Sequence, residues 1–285
     1  MSVQIRTFLV TGVSSGLGRA IAAWLLADGQ RVVGTVRRPE QVAEFEAIAP
    51  GRAFGRLLDQ ADADTVEPAV AAIEAELGPI DVLVANAGYG HEGAFEESTM
   101  AELRSQFEVN VFGTVAVIKG VLPGMRERRR GHVFVVTSMG GLVSFPGVSF
   151  YNGSKFALEG IAGALAREVA GFGVHVTAIE PGSFRTDWAG RSMVRTPRSI
   201  PDYDAVFDPI RATRQANSGN QIGNPDLVAP AIMRVVESAN PPVHLVLGSD
   251  GLRLVTRAQD AVRAEIEQWA DVSASTDFPD GASLG

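Results

Sequence analysis

Tyr151 and Lys155 close the segment Tyr151-Asn152-Gly153-Ser154-Lys155. On a helix, residues four apart share one face, about one turn from each other. A phenol titrates near about 10 and is a poor acid-base group at neutral pH; a neighbouring ammonium favours the phenolate and lowers that value. The pair is therefore a candidate proton donor with its own tuner. Its spacing alone is common on surface helices, so its weight depends on what surrounds it.

A second constellation lies near the amino terminus. Thr7-Phe8-Leu9-Val10 reads as a buried strand, followed by the turn Thr11-Gly12-Val13-Ser14-Ser15-Gly16-Leu17-Gly18 and a helical pattern over Ala20–Ala27. Asp28-Gly29 ends that helix, and Arg31–Val36 reads as the next strand. Strand, glycine-rich turn, helix and strand within this span make a nucleotide-binding unit. Gly12 permits a tight turn. Gly16 and Gly18 remove side chains where a pyrophosphate approaches backbone and where the helix packs on the sheet. Ser14, Ser15 and Leu17 complete the loop, and the helix start offers free N–H groups to phosphate. An acidic residue at the end of the second strand would accept from the ribose hydroxyls of NAD; here Val36 is followed by Arg37 and Arg38. Guanidinium groups suit a 2′-phosphate, so the reading is NADP(H) over NAD(H).

The remaining chain alternates in the same way. Strand signals fall at Arg52–Leu58, Ile80–Ala85, Val133–Thr137, Val174–Ile179 and Val243–Leu247. Helical patterns fall at Pro39–Ala49, Thr65–Leu77, Met100–Met125 (read as one long helix) and Phe150–Phe172. About seven parallel strands covered by helices on both faces follow, an α/β doubly wound sheet in a single domain spanning 1–285. Thr186–Asn224 departs from the alternation, being rich in Arg, Pro, Asn and Ser, and reads as a substrate-side lid. Its Arg185, Arg191, Arg195 and Arg198 read as loop arginines in solvent, with an acidic substrate as the alternative. The polar stretch Ser273–Gly285 reads as a frayed tail.

With 285 residues, 46% apolar and 20% charged, the composition is that of an ordinary globular protein with room for a large core. The balance of 25 Lys plus Arg against 33 Asp plus Glu gives a net charge of −8, which argues against nucleic acid or an anionic membrane as partner. The absence of cysteine excludes disulfides, thiolate metal sites and a cysteine nucleophile. His91, His132, His175 and His244 are scattered without metal-like spacing, so no metal is expected. Met1–Val10 is too short and polar for a signal peptide, and no unbroken apolar run approaches membrane-spanning length; a cytoplasmic location is expected.

The glycine turn, Asn86-Ala87-Gly88, Asn110, Ser138, Tyr151 with Lys155, and Pro181-Gly182 occur in one order over about Thr7–Leu247. Together they resemble the short-chain dehydrogenase/reductase family, in its standard-length, NADP-preferring branch, like the hydroxysteroid and retinol dehydrogenases. The resemblance implies that Tyr151 is the general acid-base residue, that Lys155 tunes it and binds the nicotinamide ribose, and that Ser138 hydrogen-bonds the substrate oxygen. It implies that Asn110 holds a water in a proton relay, that Asp59 contacts the adenine, and that Asn86, Ala87 and Gly88 line the adenosine side. Pro181, Gly182, Phe184 and Thr186 then belong to the loop against the nicotinamide amide. Ala85 replaces the first Asn of the family's usual Asn-Asn-Ala-Gly. A homodimer or homotetramer through the Met100–Met125 and Phe150–Phe172 helices is expected by resemblance.

The chemistry implied is carbonyl–alcohol interconversion: the cofactor supplies hydride, Tyr151 the proton, and Ser138 a donor to the developing oxyanion. Tyr89, Met139, Phe145 and Trp188 lie next to these motifs and are candidates to line an apolar substrate pocket, with simple core positions as the alternative. A helix N-cap is the alternative reading of Asp59. Two other functions use the same fold. A non-catalytic dinucleotide sensor would tolerate damage to Tyr151, Lys155 or Ser138, and all three are intact. A sugar-nucleotide epimerase or dehydratase would need a larger carboxy-terminal region than the roughly 100 residues after Gly182.

Overall fold

A computed structural model describes residues 5–278; Met1–Gln4 and the end of the expected tail, 279–285, lie outside the described residues. Seven parallel strands form the main sheet: β1 (Thr7–Val10), β2 (Arg31–Val36), β3 (Ala53–Leu57), β4 (Val82–Ala85), β6 (Gly131–Val136), β7 (Val174–Pro181) and β9 (His244–Leu247). Their order is β3-β2-β1-β4-β6-β7-β9. Two short strands, β5 (Gly90–Glu92) and β8 (Met193–Arg195), pair separately.

The strands are apolar on both faces because both are covered. Phe8, Val10, Val32, Val84 and Phe134 pack to one side with Ile21 and Leu25 of α1 (Gly16–Ala27) and Ile232 of α8 (Val228–Val236). Leu9, Val33, Leu83 and Val135 point the other way. They meet Val70 of α3 (Ala63–Leu77), Val117 and Val121 of α5 (Gly113–Arg128), and Leu158 of α6 (Ser149–Val169). Alternate residues of one strand thus feed two cores, as the period of two requires. The chain runs outward in opposite directions from β1 and β4, so the crevice between their carboxyl ends is the sheet's switch point, where open α/β sheets bind ligands.

Three segments differ from the reading of the sequence. Met100–Met125 is not one uniform helix. α4 (Met100–Phe107), capped by a Thr99–Glu102 capping box, gives way to a π-helical turn at Glu108–Phe112 before α5 begins. The extra residue in that turn cannot be seen in apolar periodicity, and it carries Asn110 into the interior. The combined segment Met100–Arg128 is long and apolar enough in composition to cross a membrane, although no unbroken apolar run announces it. Its Val117, Val121 and Met125 are fully buried in the protein's own core. The region 186–224 is mostly structured: it contains β8 and α7 (Asp204–Asn217), whose polar composition masks its helical period. At the carboxy terminus, α9 (Ser249–Gln268) is followed by α10 (Ala270–Ala274), so helix persists past Ser273.

Candidate active site

The turn after β1 is shaped by hydrogen bonds to its neighbours. Thr11 Oγ1 accepts from the backbone N–H groups of Asn86 and Ala87, both at 2.9 Å, and Asn86 Nδ2 donates to Thr11 O at 2.9 Å. Gly12 N donates to Thr35 Oγ1 at 3.1 Å. The turns after β1, β2 and β4 are therefore one unit at the switch point. Gly12 has φ +73°, which a side chain would strain, and a Cβ there would also press on Ala87 at 3.1 Å. A Cβ at Gly18 would collide with Asn86 Nδ2 and Gly12 O, so that glycine seats α1 against the sheet.

A cavity of about 890 Å³ runs from this turn along the carboxyl edge of the sheet. At one end it is walled by Gly12, Ser14, Ser15, Gly16 and Leu17, with Arg37 and Asp59 beside them. Asn86, Ala87, Gly88, Pro181, Gly182, Phe184 and Thr186 line it as well. Three of the expected site residues stand outside the wall. Gly18 packs as described. Arg38 is exposed and pairs with Glu40 at 3.2 Å. Asn110 lies behind the wall, buried. Asp59 faces the cavity and accepts from Ala61 N at 3.0 Å, while Asp62 occupies the N-cap position of α3.

The residues present fit a dinucleotide. The first turn of α1 has no acidic side chain and its N-cap, Ser15, makes no side-chain cap, so N–H groups are left for phosphate. A Cβ on Gly16 would enter the cavity, with Thr186 Cβ at 3.9 Å as its only near neighbour. Arg37, on the rim, is a cation where a carboxylate would face ribose hydroxyls.

Ser138, Tyr151 and Lys155 meet at the middle of the cavity. Ser138 follows β6 and starts a short 3₁₀ turn; its Oγ accepts from Gly140 N at 2.9 Å, and it lines the cavity with Tyr151. Tyr151 and Lys155 share one face of α6 and are both buried. Burial pushes the Tyr151 phenol up to about 12, against the lowering effect of Ser138. Burial pushes the Lys155 ammonium down to about 8, against the opposing charge of Glu159 one turn further along. The expectation that the lysine lowers the phenol is thus not met in this arrangement: desolvation dominates, and Lys155 Nζ donates to Val136 O at 2.9 Å, not to the phenol.

Asn110 Oδ1 accepts from Tyr89 N at 3.0 Å, and its Nδ2 donates to Tyr89 O at 3.0 Å and to Ser154 Oγ at 3.2 Å. Both amide hydrogens are used, and one lone pair on Oδ1 is left. Met139, Phe145 and Trp188 all line the cavity, and Trp188 packs at 57° on the Tyr151 ring with centroids 5.1 Å apart.

A family model described as short chain dehydrogenase matches residues 6–194. The chain belongs to the short chain dehydrogenase family. The short-chain dehydrogenase fold is also that of a solved short-chain dehydrogenase from Streptomyces avermitilis, with a TM-score of 0.90, 41% identity and coverage of 97% of this chain and 100% of that one. Among curated relatives, the oxidoreductase BOA17 of Botryotinia fuckeliana is 36% identical over 269 residues, 94% of this chain and 98% of its own. Human retinol dehydrogenase 8 is 35% identical over 255 residues, 86% and 82% of the two chains. This short-chain dehydrogenase is accordingly an oxidoreductase.

Sequence reasoning missed how the 186–224 region is tied to the rest of the protein. Glu92, buried on β5, pairs with Arg211 at 3.0 Å and Arg214 at 2.5 Å, both on α7, and with Arg195 of β8 at 3.5 Å. Burial opposes the Glu92 charge, but Arg214, Arg211 and Arg195 outweigh it and hold the carboxyl below its ordinary range. Glu97 accepts from Ser199 N at 2.6 Å, Ile200 N at 2.7 Å and Arg198 Nε at 2.9 Å. Arg191 pairs with Asp187, and Arg185 donates to Gln221 O. The arginines of this region are thus engaged within the protein. A run of arginines was visible in sequence; the carboxylates about a hundred residues earlier carried no signal that tied them together.

Proposed function

We propose that this short-chain dehydrogenase interconverts a ketone or aldehyde and an alcohol with NADP(H), using Tyr151 as the proton-transfer group and favouring a lipophilic substrate. The observation that carries the reading is that Ser138, Tyr151 and Lys155 line one cavity with the glycine turn Gly12–Leu17.

The dinucleotide, when bound, supplies or accepts hydride. Its phosphates would be held by the N–H groups of the Ser15–Leu17 turn, and a 2′-phosphate by Arg37. Gly182 and Thr186 would bound the nicotinamide end. In the reductive direction the Tyr151 O–H donates its proton to the substrate oxygen, and a phenol held high by burial is in the protonated state this needs. Ser138 Oγ–H donates to the same oxygen as negative charge grows. Lys155 places a positive charge beside the phenolate that forms. Asn110 fixes the Tyr89 segment over Lys155, and its spare lone pair is available to a relay water. Phe145, Val148, Trp188 and Val194 give the substrate end an apolar wall. A relative named for retinol is in keeping with such a wall.

The test is to follow NADPH consumption with a panel of ketones, aldehydes, steroids and retinoids. Turnover of lipophilic carbonyls that disappears in Tyr151→Phe, with NADPH binding retained, is the expected result. Full activity in that variant, or no dinucleotide binding, refutes the reading.

A further inference from the structure

Glu159, Glu180 and His244 are far apart in the chain and meet at one edge of the sheet. β7 and β9 pair with Ala178 opposite His244 and Glu180 opposite Val246. Residues two apart on a strand share a face, so Glu180 and His244 stand on the same side. Glu159 reaches them from α6, one turn beyond Lys155. His244 Nδ1 lies 2.9 Å from Glu180 Oε1 and 3.3 Å from Glu159 Oε2. One donor atom from each of the three residues lies within 4.8 Å of the others.

The two carboxylates are buried without the donors that burial demands. The Glu180 side chain is 0% exposed and that of Glu159 8%. Glu180 Oε2 and both carboxylate oxygens of Glu159 accept no hydrogen bond. Thr137, beside Glu159, sends its hydroxyl hydrogen to Ile179 O at 2.9 Å instead. Gly141, in the turn after Ser138, leaves this space open; a Cβ there would stand 3.2 Å from Glu159 Oε1. Burial pushes both carboxyls up, and the charge of Glu159 pushes Glu180 further. The groups of opposite sign facing them are His244 and Lys155, and the Lys155 Nζ donates to Val136 O. Two buried like charges within reach of each other need a cation or a proton between them.

The donor set has the dimensions of a metal site. An ion held by nitrogen and oxygen at about 2.0–2.2 Å keeps neighbouring ligand atoms about 3 Å apart. The 2.9 and 3.3 Å separations at His244 match this. Two carboxylates neutralise a dication, and three protein ligands leave a position for water. The imidazole selects a transition ion over Mg²⁺ or Ca²⁺, which take oxygen ligands. His244 is 53% exposed and gives the ion its way in from solvent. The spacing of the histidines suggested no metal because the partners of His244 are carboxylates 64 residues or more away.

We infer that Glu159, Glu180 and His244 bind one divalent transition-metal ion of the zinc class, which ties α6 to β7 and β9. The inference does not depend on the reaction proposed above.

The experiment is calorimetric titration of the metal-stripped full chain with Zn²⁺, with thermal unfolding measured in parallel. The wild type should bind one equivalent and unfold at higher temperature in excess Zn²⁺, since an ion that binds only the folded chain stabilises it. His244→Ala and Glu180→Gln should each weaken binding by at least about 100-fold, because even outer-shell partners of a metal are worth about 10–100-fold. Far-UV dichroism and NADPH binding check that the variants fold. His244→Arg, which sets a fixed cation against the same carboxylates, covers the case in which the alanine variant does not fold, and it too should lose the ion. A wild type that binds no Zn²⁺ overturns the inference and leaves the two carboxyls sharing a proton. Undiminished binding in His244→Ala or His244→Arg also overturns it, placing the ion at another group such as the exposed His175. So does binding of Mg²⁺ or Ca²⁺ in preference to Zn²⁺.

Discussion

Lys155 Nζ lies 5.8 Å from the centre of the Tyr151 ring and donates to Val136 O, while both side chains are buried on the same face of α6. Desolvation moves them in opposite directions, the phenol up to about 12 and the ammonium down to about 8. Tyr151 is therefore protonated across the physiological range, and the pair holds one proton on oxygen next to a cation that is easily discharged. Tyr151→Phe should lower turnover by about 10²–10⁴-fold, the span of general acid-base catalysis, with NADPH affinity nearly unchanged. A parallel loss of binding in fluorescence titration would instead make the phenol a binding group.

The depressed Lys155 value has a sign that can be read in kinetics. The ammonium is intact below about 8 and loses its charge as pH rises through that value. Turnover should fall over the same interval. Lys155→Arg stays charged well above it, so its falling limb should move to higher pH even if its maximal rate is lower. A limb at the same pH in both enzymes would assign the titration to another group.

Arg37 lines the cavity, whereas Arg38 turns to Glu40. Arg37→Asp should weaken NADPH binding by about 10–100-fold, the worth of a charge-assisted contact, and improve NADH relative to it. Arg38→Asp should shift the preference far less. Binding of both cofactors to both variants, measured calorimetrically, separates the two arginines.

Glu92 ties β5 to α7 and β8 through three arginines. Removing one partner of a buried ion cluster leaves charge uncompensated, at a cost of about 3–5 kcal/mol. Glu92→Gln should loosen the 186–224 region before the rest of the protein. Limited proteolysis should cut that region faster, and KM for substrate should rise more than kcat falls. Cutting at the wild-type rate would show that the clamp is dispensable.

His132 sits in the interior between β6 and β7. Its Nε2 is 2.9 Å from Thr177 Oγ1, whose own hydrogen goes to Pro242 O at 2.6 Å, so the imidazole donates and is neutral with its hydrogen on Nε2. Burial, with the nearby His175, pushes His132 down to about 3. The unfolded chain takes up this proton near the ordinary histidine value of 6.5 and the folded one does not. The contribution to stability is thus complete above pH 6.5 and declines as pH falls from there towards 3. The slope is at most about 1.4 kcal/mol per pH unit. His132→Gln should flatten this part of the curve in urea titrations taken at several pH values; an equally steep decline would place the acid sensitivity elsewhere.

Much of this was local and hence legible. The alternation of strands and helices, the glycine turn, and the Ser138, Tyr151 and Lys155 set are written in periods and spacings of a few residues. The family resemblance was carried by such short motifs in fixed order. Asp59 shows the limit: its type and place suited a cofactor contact with a helix cap as the alternative, and only the fold, which puts Asp62 at the start of α3, removed the cap.

The sequence by itself determined which residues could do chemistry and which turns could face phosphate, because backbone conformation and side-chain type act over a few residues. The tertiary structure alone decided how those groups are tuned. Burial, which sets the Tyr151 and Lys155 values against the ordering a bare helix face suggests, depends on packing by β6, β7 and the substrate-side region. The π turn that carries Asn110 inward and the Glu92 clamp were also decided there. Each joins residues far apart in the chain, and long-range contacts leave no period for a sequence to display.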